Sequence, residues 1–158
     1  MGVDMKTSQS VGKWISVLYR YTQSYLKKQL EPFHVGAGQL PILLLLFQKE
    51  YVRQVDLATQ LQLDKTSMAR TINKLEVSGY LQRNRDDQDN RAYNISLTPK
   101  AAKFKDKLVP ILKSWTHILM RDFTQAEQDQ FIVFLRKAAE NAENELKGDG
   151  DATSGTSD

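Results

Sequence analysis

Three groups of residues in this chain could do chemistry: two histidines, a set of carboxylates, and a run of cations interspersed with hydroxyl and amide side chains. His34 and His117 lie far apart and cysteine is absent, so the sequence offers no zinc-like ligand spacing, thiolate nucleophile or disulfide. Asp86, Asp87 and Asp89 fall in a wholly polar stretch, where solvent leaves acids unactivated. Neither group points to catalysis, and no cofactor is implied. The third group does form a pattern: Lys65, Thr66, Ser67, Arg70, Asn73 and Lys74 occur with no acid between Lys65 and Lys74. Arginine can donate two hydrogen bonds to guanine O6 and N7, asparagine can pair with adenine, and hydroxyls reach base edges or phosphate. That is the chemistry of reading double-stranded DNA.

These side chains need a rigid element to present them. Asp64 is a strong N-cap for a helix starting at Lys65, and Gly79 suits its left-handed end. At about 100° per residue, Met68, Ile72 and Leu75 gather on one side and must face a core. Thr66, Ser67, Arg70, Asn73 and Lys74 are left outward. A short helix over Gln54 to Leu61 precedes it, with Val55, Leu57, Ala58 and Leu61 as its buried contacts. Two short strands follow, Tyr80 to Arg83 and Ala92 to Leu97, joined by a charged hairpin tip in solvent, Asn84 to Arg91. The order is that of a winged helix-turn-helix. On the hairpin, Arg83, Arg85 and Arg91 alternate with Asp86, Asp87 and Asp89: either this is a solubilising β-turn, whose geometry favours Asp and Asn, or its arginines offer a second contact in which Asp89 holds the Arg91 guanidinium and presents it to a minor groove.

Flanking helices complete a mainly α chain. Val11, Ile15, Leu18, Tyr21 and Tyr25 predict a helix from Val11 to Leu30, stopped near Pro32. Leu40 to Phe47 is apolar all round and predicts a fully buried helix, whose start Pro41 leaves open. Thr98-Pro99 opens a long helix containing Pro110. Thr124 and Glu127 form a capping box for a last helix, with Phe131, Phe134, Leu135, Ala138 and Ala142 on its inner face. Residues 147–158 predict a disordered tail. The predicted organisation is a single domain over 1–146, with a winged core at about 40–97 and flanking helices at about 11–30 and 98–146.

The residues Ser67-Met68-Ala69-Arg70, Leu75-Glu76, Gly79-Tyr80-Leu81, Asp89-Asn90-Arg91 and Leu97-Thr98-Pro99-Lys100-Ala101 resemble the multiple-antibiotic-resistance regulator (MarR) family of transcription factors. The resemblance extends over roughly Val11 to Leu146. It implies a homodimer held by its N-terminal and last two helices, a two-stranded β-wing, and repression relieved by a small aromatic or phenolic effector. Carried over by position, Thr66, Ser67, Arg70, Asn73 and Lys74 lie on the recognition helix, and Asp89 and Arg91 on the wing. Three positions depart from the family pattern. Asn90 replaces a usual basic residue, Gln62 replaces a turn glycine, and Arg53 stands where Ser or Thr often caps the third helix and could bind a phosphate. Trp14, Tyr21, Phe33 and His34 could line an effector pocket, although aromatics at helical spacing more often simply pack.

Composition sets outer bounds. The net charge of +3 is a mild bias that carries little alone. The apolar run Leu40 to Phe47 is far short of the ~18 residues a membrane span needs. Lys6 stands where a myristoylation signal after Gly2 wants Ser or Thr. A cytoplasmic protein with no membrane partner is expected. The rival reading is a winged helix used for protein assembly without DNA. An apolar surface would be expected there, whereas residues 65–74 are basic and hydroxylic.

Overall fold

The computed structural model describes residues 10–89 and 91–151. Gly2, Lys6, Asn90 and tail residues 152–158 lie outside the described residues. The chain forms two compact units, Met1–Trp115 and Thr116–Asp158.

In the first unit, α1 spans Val11–Leu30, the bounds that its periodicity and Pro32 predict. The Ser10 hydroxyl accepts the Lys13 N–H at 3.3 Å, and Lys27 and Lys28 sit in the last turn, where cations complement the helix dipole. Pro32 falls in a short 3-10 turn, Glu31–Phe33, closed by His34 in the left-handed region. A second such turn, Ala37–Gln39, leads into α2, Leu40–Leu46. Pro41 stands in the first turn of α2, where its missing N–H has no helical partner to lose. α2 is not buried on every side, as its composition predicts: Ile42, Leu43 and Leu46 are buried, but Leu44 is 38% exposed. The core reaches one side of this helix only.

A two-residue strand, β1 (Val52–Arg53), precedes α3 (Gln54–Gln60). Leu57 is buried and Ala58 and Leu61 pack against the core, but Val55 is 55% exposed, against expectation. Two residues are about 200° on a helix, so Val55 faces away from Leu57. After α3, the Leu63 N–H reaches the Ala58 carbonyl and the Gln62 N–H reaches Thr59, with Gln62 at φ 51. This is a left-handed helix stop without its usual glycine.

Beyond it come α4 (Lys65–Val77), β2 (Leu81–Arg85), β3 (Tyr93–Leu97) and α5 (Pro99–Leu119). Gly79, at φ 77, makes the same kind of stop after α4. Thr98 caps α5 and its hydroxyl also donates to the Gly79 carbonyl, tying the end of α4 to the start of α5. The wing sheet has three strands in antiparallel order β1-β3-β2, one more than the hairpin predicts, with Val52 opposite Ile95 and Arg83 also opposite Ile95. Behind α4 lies one apolar core built from Leu30, Ile42, Leu43, Leu57, Ile95 and Leu108 among others. Phe104 packs there between Phe33 and Tyr80, each with ring centroids 5.2 Å from it.

In the second unit, α6 spans Gln125–Asp151 and so continues past Leu146, into the stretch that composition predicts as disordered. The capping box is present: the Thr124 N–H donates to Glu127 at 2.7 Å and the Glu127 N–H to the Thr124 hydroxyl at 3.3 Å. The bonds from Thr124 hold the Glu127 carboxyl below its ordinary value. Phe131 stacks on Phe123 at 5.7 Å. Phe134 and Leu135, predicted to face inward, are 60% and 45% exposed. Within one chain that face of α6 stays in solvent.

Candidate nucleic-acid interface

The candidate surface is built on α4. Asp64 accepts the Ser67 N–H at 2.8 Å, and its bonds to the Ser67 side chain and backbone hold its carboxyl below the ordinary value. Met68, Ile72 and Leu75 are at most 1% exposed, which fixes the rotation of the helix about its axis. Lys65, Thr66, Arg70, Asn73 and Lys74 consequently stand in solvent. With His34 they border an open hollow of about 920 Å³. Ser67 differs from the expected outward placement: it is half-buried, and its N–H serves the helix cap.

A second hollow, of about 370 Å³, brings Arg53, Lys65 and Arg91 together over Val55, Met68 and Tyr93. Arg85 and Asp89 are exposed on the wing and border neither hollow. Asp89 does not hold the Arg91 guanidinium. Its carboxylate accepts the Arg91 backbone N–H at 3.0 Å, shaping the turn and leaving the guanidinium exposed.

The wing tip is not uniformly in solvent. Asp86 is 8% exposed. One of its oxygens accepts the N–H groups of Gln88 and Asp89 at 2.9 and 3.2 Å; the other accepts Arg53 at 3.2 Å and the Asn94 amide at 3.2 Å. The Gln88 N–H foremost, then Asp89 and Arg53, hold its carboxyl below the ordinary value against the opposing effect of burial. Arg53, a predicted phosphate contact, is thus engaged by the wing while remaining half-exposed. Sequence reasoning misses Asp86 because the two side chains that bind it beyond its own turn, Arg53 and Asn94, come from other strands.

Arg83, read from sequence only as one of the alternating hairpin cations, turns back onto α4. Its Nη2 donates to the Asn73 side-chain oxygen at 2.5 Å and lies 3.3 Å from the Glu76 carboxylate, and its guanidinium lies over the Tyr93 ring. α4 and β2 are thereby joined on the exposed side as well as through the core.

Among the described residues, no cluster of His, Cys, Asp and Glu could hold a metal ion, and no helix is long and apolar enough to cross a membrane.

Residues 37–93 match the MarR family. A MarR transcriptional regulator from Methanosarcina mazei is similar in structure, with a TM-score of 0.82 and 36% identity, covering 85% of this chain and 96% of that one. The HTH-type transcriptional regulator YkoM of Bacillus subtilis is 30% identical over 68% of this chain and 70% of its own length. A MarR mutant from E. coli complexed with operator DNA shares the fold at 19% identity, with a TM-score of 0.75 over 87% of this chain and 99% of that one. The first two are transcriptional regulators. With its winged helix-turn-helix and these matches, the chain belongs to the MarR family of transcriptional regulators.

Proposed function

We propose that the chain works in the cytoplasm as a homodimeric repressor of roughly palindromic operators, residues 1–146 acting as one DNA-binding domain. Each subunit lays the outer side of α4 in a major groove, the two grooves being about one helical turn apart. Thr66, Arg70, Asn73 and Lys74 face base edges, while Lys65 and the Ser67 end of the helix lie toward phosphate. Arg85 and Arg91 reach the neighbouring backbone and minor groove from the wing that Asp89 shapes. Arg53 contributes its free edge to a phosphate.

The observation that carries this reading is the two-sidedness of α4: three apolar residues lock one side into the core, and the other is cationic, hydroxylic and open to solvent. The DNA-bound state of the E. coli relative supports the choice of partner. Dimerisation is supported by exposed apolar side chains on α1 (Val11, Ile15, Tyr19, Tyr21) and on α6 (Ile132, Val133, Phe134, Leu135), more than a soluble monomer ordinarily leaves uncovered. Relief by a small aromatic or phenolic effector is proposed on family membership alone. Selection of bound duplexes from a random pool tests the reading. One palindromic consensus supports it, and failure to enrich any sequence contradicts it.

A further inference from the structure

We infer that Arg83 sets the base preference of the recognition helix by turning Asn73 into a donor-only reader. This rests on the DNA-binding reading above. An asparagine amide has an oxygen that only accepts and an NH₂ that only donates, while a guanidinium only donates. The end of Asn73 that meets Arg83 must therefore be the oxygen, whichever way the amide is drawn. That contact is 2.5 Å long. Arg83 is itself restrained by Glu76 at 3.3 Å and by the Tyr93 ring, and its side chain is only 22% exposed.

Two-point recognition of adenine needs the amide oxygen to accept from N6 while the NH₂ donates to N7. The oxygen keeps a second lone pair, but Arg83 turns it toward β2, so an adenine N6 amino group reaching it would crowd against the guanidinium donors. What remains for the groove is the NH₂, which has no partner among the described residues. A lone donor suits guanine, with two adjacent acceptors (O6, N7), or thymine (O4) better than adenine, whose single acceptor N7 lies beside the N6 donor that the amide can no longer accept from. Arg83 touches no base in this arrangement. It is a positioning residue that determines specificity through Asn73.

The test applies one random duplex pool to the full-length wild type and three variants. The base position read by Asn73 is the one whose preference collapses in Asn73→Ala. At that position the wild type is expected to select guanine or thymine. Arg83→Met releases the amide and should raise adenine there by about tenfold relative to wild type, the scale of one two-point contact. Asn73→Asp, an exposed change that keeps an acceptor for Arg83 but replaces the outward donor with an acceptor, should move the preference to cytosine. This second variant keeps the inference testable if Arg83→Met does not fold. Adenine selected by the wild type at that position, or an unchanged preference in Arg83→Met or in Asn73→Asp, overturns the inference while leaving DNA binding intact. So does an Asn73→Ala protein with every preference retained. If the wild type enriches nothing, DNA reading itself falls, and the inference with it.

Discussion

Arg53 on β1 donates from both Nε and Nη2 to one carboxylate oxygen of Asp86, at 3.3 and 3.2 Å, across 33 residues of sequence. The same carboxylate caps the turn of the wing, so one side chain fastens the tip to the edge strand and shapes it. We expect Asp86→Ala to speed hydrogen exchange at the Gln88 and Asp89 amides and to weaken operator binding several-fold. Melting temperature should change little, because the half-exposed Arg53 can rehydrate. The pH dependence has a definite sign. The folded carboxyl is held below its ordinary value, so its contribution is fully present above the ordinary carboxylate range and lost as pH falls through the lowered folded value. Wing protection should be flat from pH 8 to about 5 and decline only in more acidic solution.

Gln62 holds a left-handed conformation with φ 51. A side chain there costs about 1 kcal/mol relative to glycine, part of which returns through the greater freedom of glycine in the unfolded chain. Gln62→Gly should raise stability by up to about 1 kcal/mol in denaturant titration, with the denaturant slope unchanged.

Leu75 is completely buried behind the DNA-facing side of α4. Leu75→Ala should cost about 2 to 5 kcal/mol of stability through lost burial and the cavity left behind. Operator affinity measured well below the melting transition should fall less than for Arg70→Ala, since no contact to DNA is removed.

Legibility in the sequence follows the range of the interactions. The limits of α1 and α4 can be read because their caps, Ser10 and Asp64, and their stops, near Pro32 and at Gly79, lie within a turn of the helix they bound. β1 cannot be read: two residues show no period, and Val52–Arg53 is a strand only because β3 pairs with it. The burial of Asp86 is likewise created by Arg53 and Asn94, which no local pattern ties to it. Val55 and Leu44 are apolar but face solvent, and composition does not distinguish them from Leu57 and Leu43. Of the proposed reading surface, the outer side of α4 is legible from helical periodicity, whereas the coupling of Asn73 to Arg83 depends on the placement of β2 beside it.

Ile132, Val133, Phe134 and Leu135 leave four consecutive apolar side chains of α6 at least 45% exposed. A second copy covering them is expected to give a dimer by light scattering at micromolar concentration. Phe134→Glu should shift the mass toward monomer and weaken binding to a palindromic duplex. A wild-type monomer at that concentration would contradict the dimeric arrangement.

The most direct measurement of whether α4 reads DNA is a salt titration of binding to the selected duplex, run with wild type and Arg70→Ala. We expect affinity to fall steeply and linearly on a log–log plot as salt rises, because phosphate contacts release counterions. Arg70→Ala should lose about 1 to 3 kcal/mol with relaxed base preference. Affinity that ignores salt, or an Arg70→Ala protein that binds as tightly and selectively as wild type, would contradict DNA reading by this face and favour a protein-assembly role for the winged helix.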